Sequence, residues 1–344
     1  MMNKNDLSEE VKVNEEQLEE PKQETPETIN ETEVVERKMH QREEVNSLDD
    51  FYQKADNNQK EFTKNYNKIR KISNLVMIAF MAVIIVLLFA FGNNGAFIGI
   101  AIALIVVYFA CLMIFSKKVK AKLNEESLRV LDEYFINLDS FITSNENFTD
   151  VQFNYEEKLP ENAFKDLRIC KDIVHVGGRD LIEGKLFSHN FVAGDNLIKT
   201  REKKEDGTEQ DFIVFLGKLF VIDLPILSEG RAVIYLKGKG ANGPTDIDDL
   251  TLQENLLSDK FNVYSNEDIS SVIEKIKDSL EKYEINDLLL DMFISFDNNK
   301  IGFGFSYIDS IMSVPLLDPL KKEDIAQYKK DVDIMVEIID SLVK

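Results

Sequence analysis

The stretch GKGANG (238–243) has the G-x-G-x-x-G order of a dinucleotide-binding turn and follows an expected strand. Such a turn holds phosphate on its backbone amides. Here Pro244 follows at once, Asp246, Asp248 and Asp249 would meet a pyrophosphate with like charge, and no repeating βαβ order surrounds it. It reads as a surface turn. DNNKIG (297–302) opens like a calcium loop, but Ile301 and Ile308 stand where oxygen ligands belong and the flanks alternate like strands. It reads as a hairpin turn. The acidic TDIDDLTLQE (245–254) offers carboxylates for weak divalent binding without the loop's glycine, and reads better as a solvated rim or a helix N-terminus.

Histidine and cysteine give little more. His40 lies in an acidic N-terminal stretch, and His175 and His189 border expected strands with no partner at metal-ligand spacing. Cys170 and His175 are five apart, so in a strand they face opposite ways and make a poor nucleophile–base pair. Asp180 and Glu183, likewise of opposite parity, make a poor carboxylate pair. No catalytic, cofactor-binding or metal residue is expected, and no cofactor. Cys111 and Cys170 give no disulfide framework, and the N-terminus lacks the apolar core of a secretory signal.

The elements around these residues are easier to read. The formal charge is −21, split into −10 over residues 1–50, +7 over 51–120 and −18 over 121–344. An acidic body with no basic stripe argues against nucleic acid as a partner. Residues 75–91 and 96–115 carry no charge, and Gly92-Asn93-Asn94-Gly95 separates them. The glycines and asparagines suit a tight reversal. The expectation is a transmembrane hairpin over 73–116, with spans 75–91 and 96–115. Lys64, Lys68, Arg70 and Lys71 before it, and Lys117, Lys118, Lys120 and Lys122 after it, form a basic collar. By the positive-inside rule the collar places both termini in the cytoplasm of a multi-pass cell-membrane protein. Gly95, Gly99 and Ala103 make a small-residue ridge for packing within the hairpin or between copies.

Residues 1–44 read as a disordered acidic tail. Leu48, Tyr52, Ala55, Gln59, Phe62, Tyr66 and Ile69 follow heptad steps, as do Leu128, Leu131, Phe135, Leu138 and Ile142. Juxtamembrane helices over 45–72 and 117–148 are expected, either paired as an antiparallel coiled-coil stalk or packed separately on the body. Residues 150–344 read as a cytoplasmic α+β domain. Strands fall at 180–188, 196–204, 210–223 and 231–238, the last read as neighbour of the one before. A helix starts with Ser265 as cap, a hairpin joins LLLDMFISF to KIGFGFSYI, and a last helix spans about 321–343. The fold class is α+β: a two-helix transmembrane hairpin with helical extensions, then a mostly antiparallel sheet with C-terminal helices.

Four stretches, GGRDLIEGK (177–185), VFLGKLFVID (214–223), LLSDKFNVYSNED (256–268) and FISFDNNKIGFGFSY (293–307), resemble the bacterial membrane-anchored family catalogued as domain of unknown function 3137. With the hairpin they span about residues 70–343. Lys218 displaces the family's aromatic run, and FVAGD (191–195) replaces its usual Ser-Glu pair. The resemblance implies the architecture and supplies no catalytic residue. The function expected is a non-enzymatic, membrane-anchored binding or scaffold module. Its partners would be the lipid bilayer, another membrane or cytoplasmic protein, or a second copy. A hydrolase-like enzyme at a membrane surface and a lipid-binding domain are the alternatives.

Overall fold

Ser47 starts the first helix: its hydroxyl accepts from the Asp50 amide at 3.1 Å, and Asp49 and Asp50 add negative charge in the first turn. Good helix formers then run without a proline through α1 (Leu48–Phe91) and α2 (Gly95–Ile142). In this computed structural model the described residues are 39–45, 47–91, 95–203, 207–227, 230–237, 244–254, 256–285, 287–297, 299–307 and 322–344. The motif GKGANG and residues 1–38 of the acidic tail lie outside them.

The two helices are antiparallel neighbours. Near their base the Phe51 ring meets Tyr134 at 5.6 Å and Phe141 at 6.0 Å. Farther out, Asn65 Nδ2 donates to Glu126 Oε1 at 3.3 Å. Ala55 and Phe62 are buried on one heptad row, and Phe135, Leu138 and Ile142 on the other. The basal turns also join the core of the body, so helix pairing and packing on the body occur together. We call the pair the arm.

The membrane reading needs correction. Among the described residues no helix is long and apolar enough to cross a membrane. This overturns the transmembrane hairpin 73–116, with spans 75–91 and 96–115, and the multi-pass cell-membrane placement with cytoplasmic termini drawn from it. The physical reason lies in continuity. Residues 75–91 belong to a helix of 44 residues whose other turns carry Lys, Glu and Asn, and α2 runs 48 residues into the charged stretch after Phe115.

Residues 39–45 are ordered against the sheet, although the acidic tail was expected to run to residue 44. β1 (His40–Gln41) pairs with β2 (Phe148–Asn154), Arg42 donates to the Phe148 and Ser144 carbonyls, and Val45 is buried. From there the chain forms β3 (Ile173–Leu186), β4 (His189–Lys203), β5 (Glu209–Ile222), β6 (Ala232–Leu236), β7 (Thr251–Leu252), β8 (Phe261–Ser265), β9 (Leu289–Asp297) and β10 (Lys300–Tyr307). Together they make one antiparallel sheet in the order β1-β2-β3-β4-β5-β10-β9-β6-β8-β7. The hairpin β9–β10 thus stands between β5 and β6, which are not neighbours as expected.

Strand alternation sorts the side chains onto two faces. Phe220, Ile222, Phe303 and Phe305 meet the arm base, α4 (Ser270–Lys282) and α5 (Lys322–Val343). Leu219, Val221 and Phe293 meet the opposite layer, built from α3 (Glu161–Lys165) and the turns after it. Gly302 and Gly304 lie toward that second layer, and a Cβ on Gly302 would meet Leu167 Cδ1 at 2.3 Å. Ser265 does not cap α4. It ends β8 and bonds to the Arg231 and Glu267 carbonyls, while Asp268 accepts from the Ser270 amide.

Candidate functional site

Two features stand out: the outer part of the arm, and a buried charged cluster where the arm meets the sheet.

On the outer arm, large apolar side chains face outward. Leu75 is 70% exposed and Phe89 89%, with Val83, Val86, Val106 and Met113 alongside. Of nineteen exposed large apolar residues among those described, sixteen lie on α1 and α2. Among the described residues the exposed apolar side chains are therefore concentrated on the arm. All eight collar residues, Lys64, Lys68, Arg70, Lys71, Lys117, Lys118, Lys120 and Lys122, are exposed below this surface. The antiparallel pairing of the helices brings both halves of the collar to the same level. Between them a groove of about 620 Å³ is lined by Phe62, Tyr66, Leu123 and neighbouring residues. The side chains of Gly95, Gly99 and Ala103 are outside those described.

The buried cluster centres on Lys218. Its parity in β5 matches Phe220 and Ile222, so the strand turns it toward the arm. Asp195 is its cross-strand partner on β4, with Oδ1 at 3.4 Å. Asp180 reaches it from β3, where the β3–β4 register breaks between Arg179 and Ile182. The Asp180 backbone is left-handed there, with φ 65°, and its amide donates to the Tyr155 carbonyl. Lys218 Nζ donates to Asp180 Oδ2. Asp139, from the last turns of α2, completes the group with Oδ1 3.5 Å from the ammonium. The Tyr328 ring of α5 lies above the ammonium, with its centroid at 5.7 Å. Lys218 is 1% exposed, and Asp139 and Asp180 are fully buried.

Electrostatics here oppose full ionisation. Burial and the neighbouring Asp180 carboxyl push the Asp139 carboxyl well above its usual range, outweighing Lys218. Burial raises Asp195 to about 6. Burial works against the Lys218 ammonium, but the three carboxylates outweigh it and hold its pKa well above the ordinary value.

Other buried groups are better matched. Asp331 accepts from the Tyr283 and Tyr307 hydroxyls and Gln327 Nε2, at 2.6, 2.6 and 2.7 Å. Burial still lifts it to about 6. The acidic segment after Pro244 is clasped by cations: Arg231 and Arg168 reach Asp249 at 2.7 and 3.3 Å, and Lys171 binds Asp248. Among the described residues no group of three His, Cys, Asp or Glu could hold a metal ion. Cys170 is buried and its thiol is raised to about 12 by that burial, whereas His175 is exposed. His189 Nδ1 lies 3.2 Å from the Asp223 carbonyl. Asp180 turns inward at the bulge, to Lys218.

No protein-family model matches the chain, and no curated protein does. Among solved structures the chain is similar to the crystal structure of the mycobacterial trehalose monomycolate transport factor A, TtfA. The identity is 10% and the TM-score 0.31, over 59% of this chain and 93% of that one. At that level the likeness carries no argument about function.

The Lys218 cluster was missed by sequence reasoning, although its signal was present. Lys218 interrupts an apolar run at an inward parity, and Asp139 sits four residues after Phe135 on the heptad stripe.

Proposed function

We infer that this protein is a non-enzymatic binding or scaffold module whose arm carries the surface for a protein partner. The observation behind the reading is the concentration of exposed large apolar side chains on α1 and α2, against three, Val174, Leu252 and Val343, elsewhere among the described residues. An apolar surface of this extent marks an interaction site. The richest collection of titratable groups, around Lys218, is closed off from substrate by burial. The resemblance to the family of unknown function remains a proposal resting on the four stretches that carry it.

A photoreactive amino acid at Val83, compared with one at Leu252 on the body, tests the reading in cells. The Val83 probe is expected to give a protein adduct of one defined mass, and the Leu252 probe none. Adducts to lipid alone, or adducts from the body position only, would overturn it.

A further inference from the structure

Three carboxyl groups surround one ammonium in a place without exposed surface. Full ionisation would leave two uncompensated negative charges in the core, and burying an unpaired charge is strongly unfavourable. Hydrogen bonding shows where the imbalance falls. Among the described residues neither Asp139 oxygen has a hydrogen-bond partner, nor has Asp180 Oδ1, nor the Tyr328 hydroxyl. Asp180 already receives Lys218 through Oδ2, and Asp195 lies within 3.4 Å of the same ammonium. Asp139 has its Oδ1 3.5 Å from the ammonium without a hydrogen bond from it, and lies beside the Asp180 carboxyl.

The geometry points to a proton held on Asp139 at neutral pH, which fastens the base of the arm to the sheet and whose loss in alkali loosens that joint. Protonated Asp139 donates to the Asp180 carboxylate, satisfying both groups with one bond across the α2–β3 junction. When the proton leaves to solvent, two like charges face each other and the helix end is pushed from the sheet. The remaining groups facing Asp139 are Lys218 on β5, Asp195 on β4 with Arg179 of β3 beside it, Tyr328 on α5, and Tyr134 on α2 with Tyr52 of α1 behind it. Lys329 of α5 holds the Ile142 carbonyl at 3.3 Å, one turn beyond. Tyr134 and Tyr328 are raised by burial and stay neutral through pH 9, and Lys218 stays charged. Asp139 is thus the group of this cluster to which the geometry assigns the proton. The inference stands whether or not the arm binds a partner.

Amide exchange over residues 134–142, corrected for the intrinsic rate, tests this on the full chain between pH 7 and 9. In the native protein protection should fall about tenfold per pH unit for as long as Asp139 keeps its proton in the closed state, and level off once that proton is lost, while in Asp139→Asn, fixed in the neutral form, it should change less than about twofold. An Asp139→Asn protein with the native pH dependence, or with less protection at every pH, would overturn the proposal. Lys218→Met supplies a second reading. It should lower the urea midpoint at pH 8 and recover most of the loss at pH 5, where the carboxyls take up protons. A midpoint equal to the native one at pH 8 would show that no charged lysine is balanced there, and the proposal would fall.

Discussion

Gly217 shows how little room the centre of the sheet leaves at single positions. A Cβ built on it would sit 1.9 Å from the Phe305 carbonyl oxygen, a backbone atom of β10 that cannot swing aside. We expect Gly217→Ala to cost about 2–3 kcal/mol in urea unfolding. The atoms nearest a Cβ on Gly302 belong to the end of the Leu167 side chain, so Gly302→Ala should cost less. The residue-level patterns of β10 were plain in the sequence, since Ile301, Phe303 and Phe305 alternate with glycines. The Lys218 cluster was not, because its members are distant along the chain: Asp139, Asp180, Asp195 and Lys218 meet only after an α2–sheet contact, a bulge and a cross-strand register are in place. Local spacing shows only that Lys218 and Asp139 sit on inward-facing rows, not that they meet.

At the level of elements, the arm depends on its base. Phe51 is fully buried, touches both Tyr134 and Phe141, and joins α1 to α2 where both enter the core. Phe51→Ala should lose about 3–5 kcal/mol in denaturant unfolding, of the order found when a buried aromatic ring is deleted. A loss under about 1 kcal/mol would mean that the helices hold together without the base. Of the heptad positions, Ala55, Phe62, Phe135, Leu138 and Ile142 are buried whereas Leu128 is exposed, and the expected turn at 92–94 lies outside the described residues. The bilayer inferred from the uncharged runs did not survive, because hydropathy alone does not say what covers a helix. Strand order was less legible. RAVIYLKG looked like the neighbour of β5 because adjacent segments usually pair, yet β9 and β10 come between.

For the whole molecule, acid should stabilise and mild alkali destabilise. Burial raises Asp195 and Asp331 to about 6 and Asp291 to about 7, against an ordinary value of 3.8. Each therefore binds its proton more tightly folded than unfolded. The stability they contribute is fully present below about pH 4 and is lost as pH rises through 6 to 7. Lys218 contributes in the same direction, but only in strong alkali. Exposed acids held low by neighbours, such as Glu161 beside Lys158 and Asp211 beside Arg201, work the other way and are weakened by solvent screening. The urea midpoint should be higher at pH 5 than at pH 8. A midpoint that rises from pH 5 to 8 would show that the surface pairs outweigh the buried acids.

The place of β10 has a consequence for the newborn chain. This strand joins β5 on one side to β9 on the other, yet it is made after both. Until residues 300–307 leave the ribosome, the nascent polypeptide holds two half-sheets, each ending in an open, oily border. A translation product halted at Asn298 should bind a chaperone holdase and succumb quickly to protease, whereas one extended past Tyr307 can close the seam and escape both.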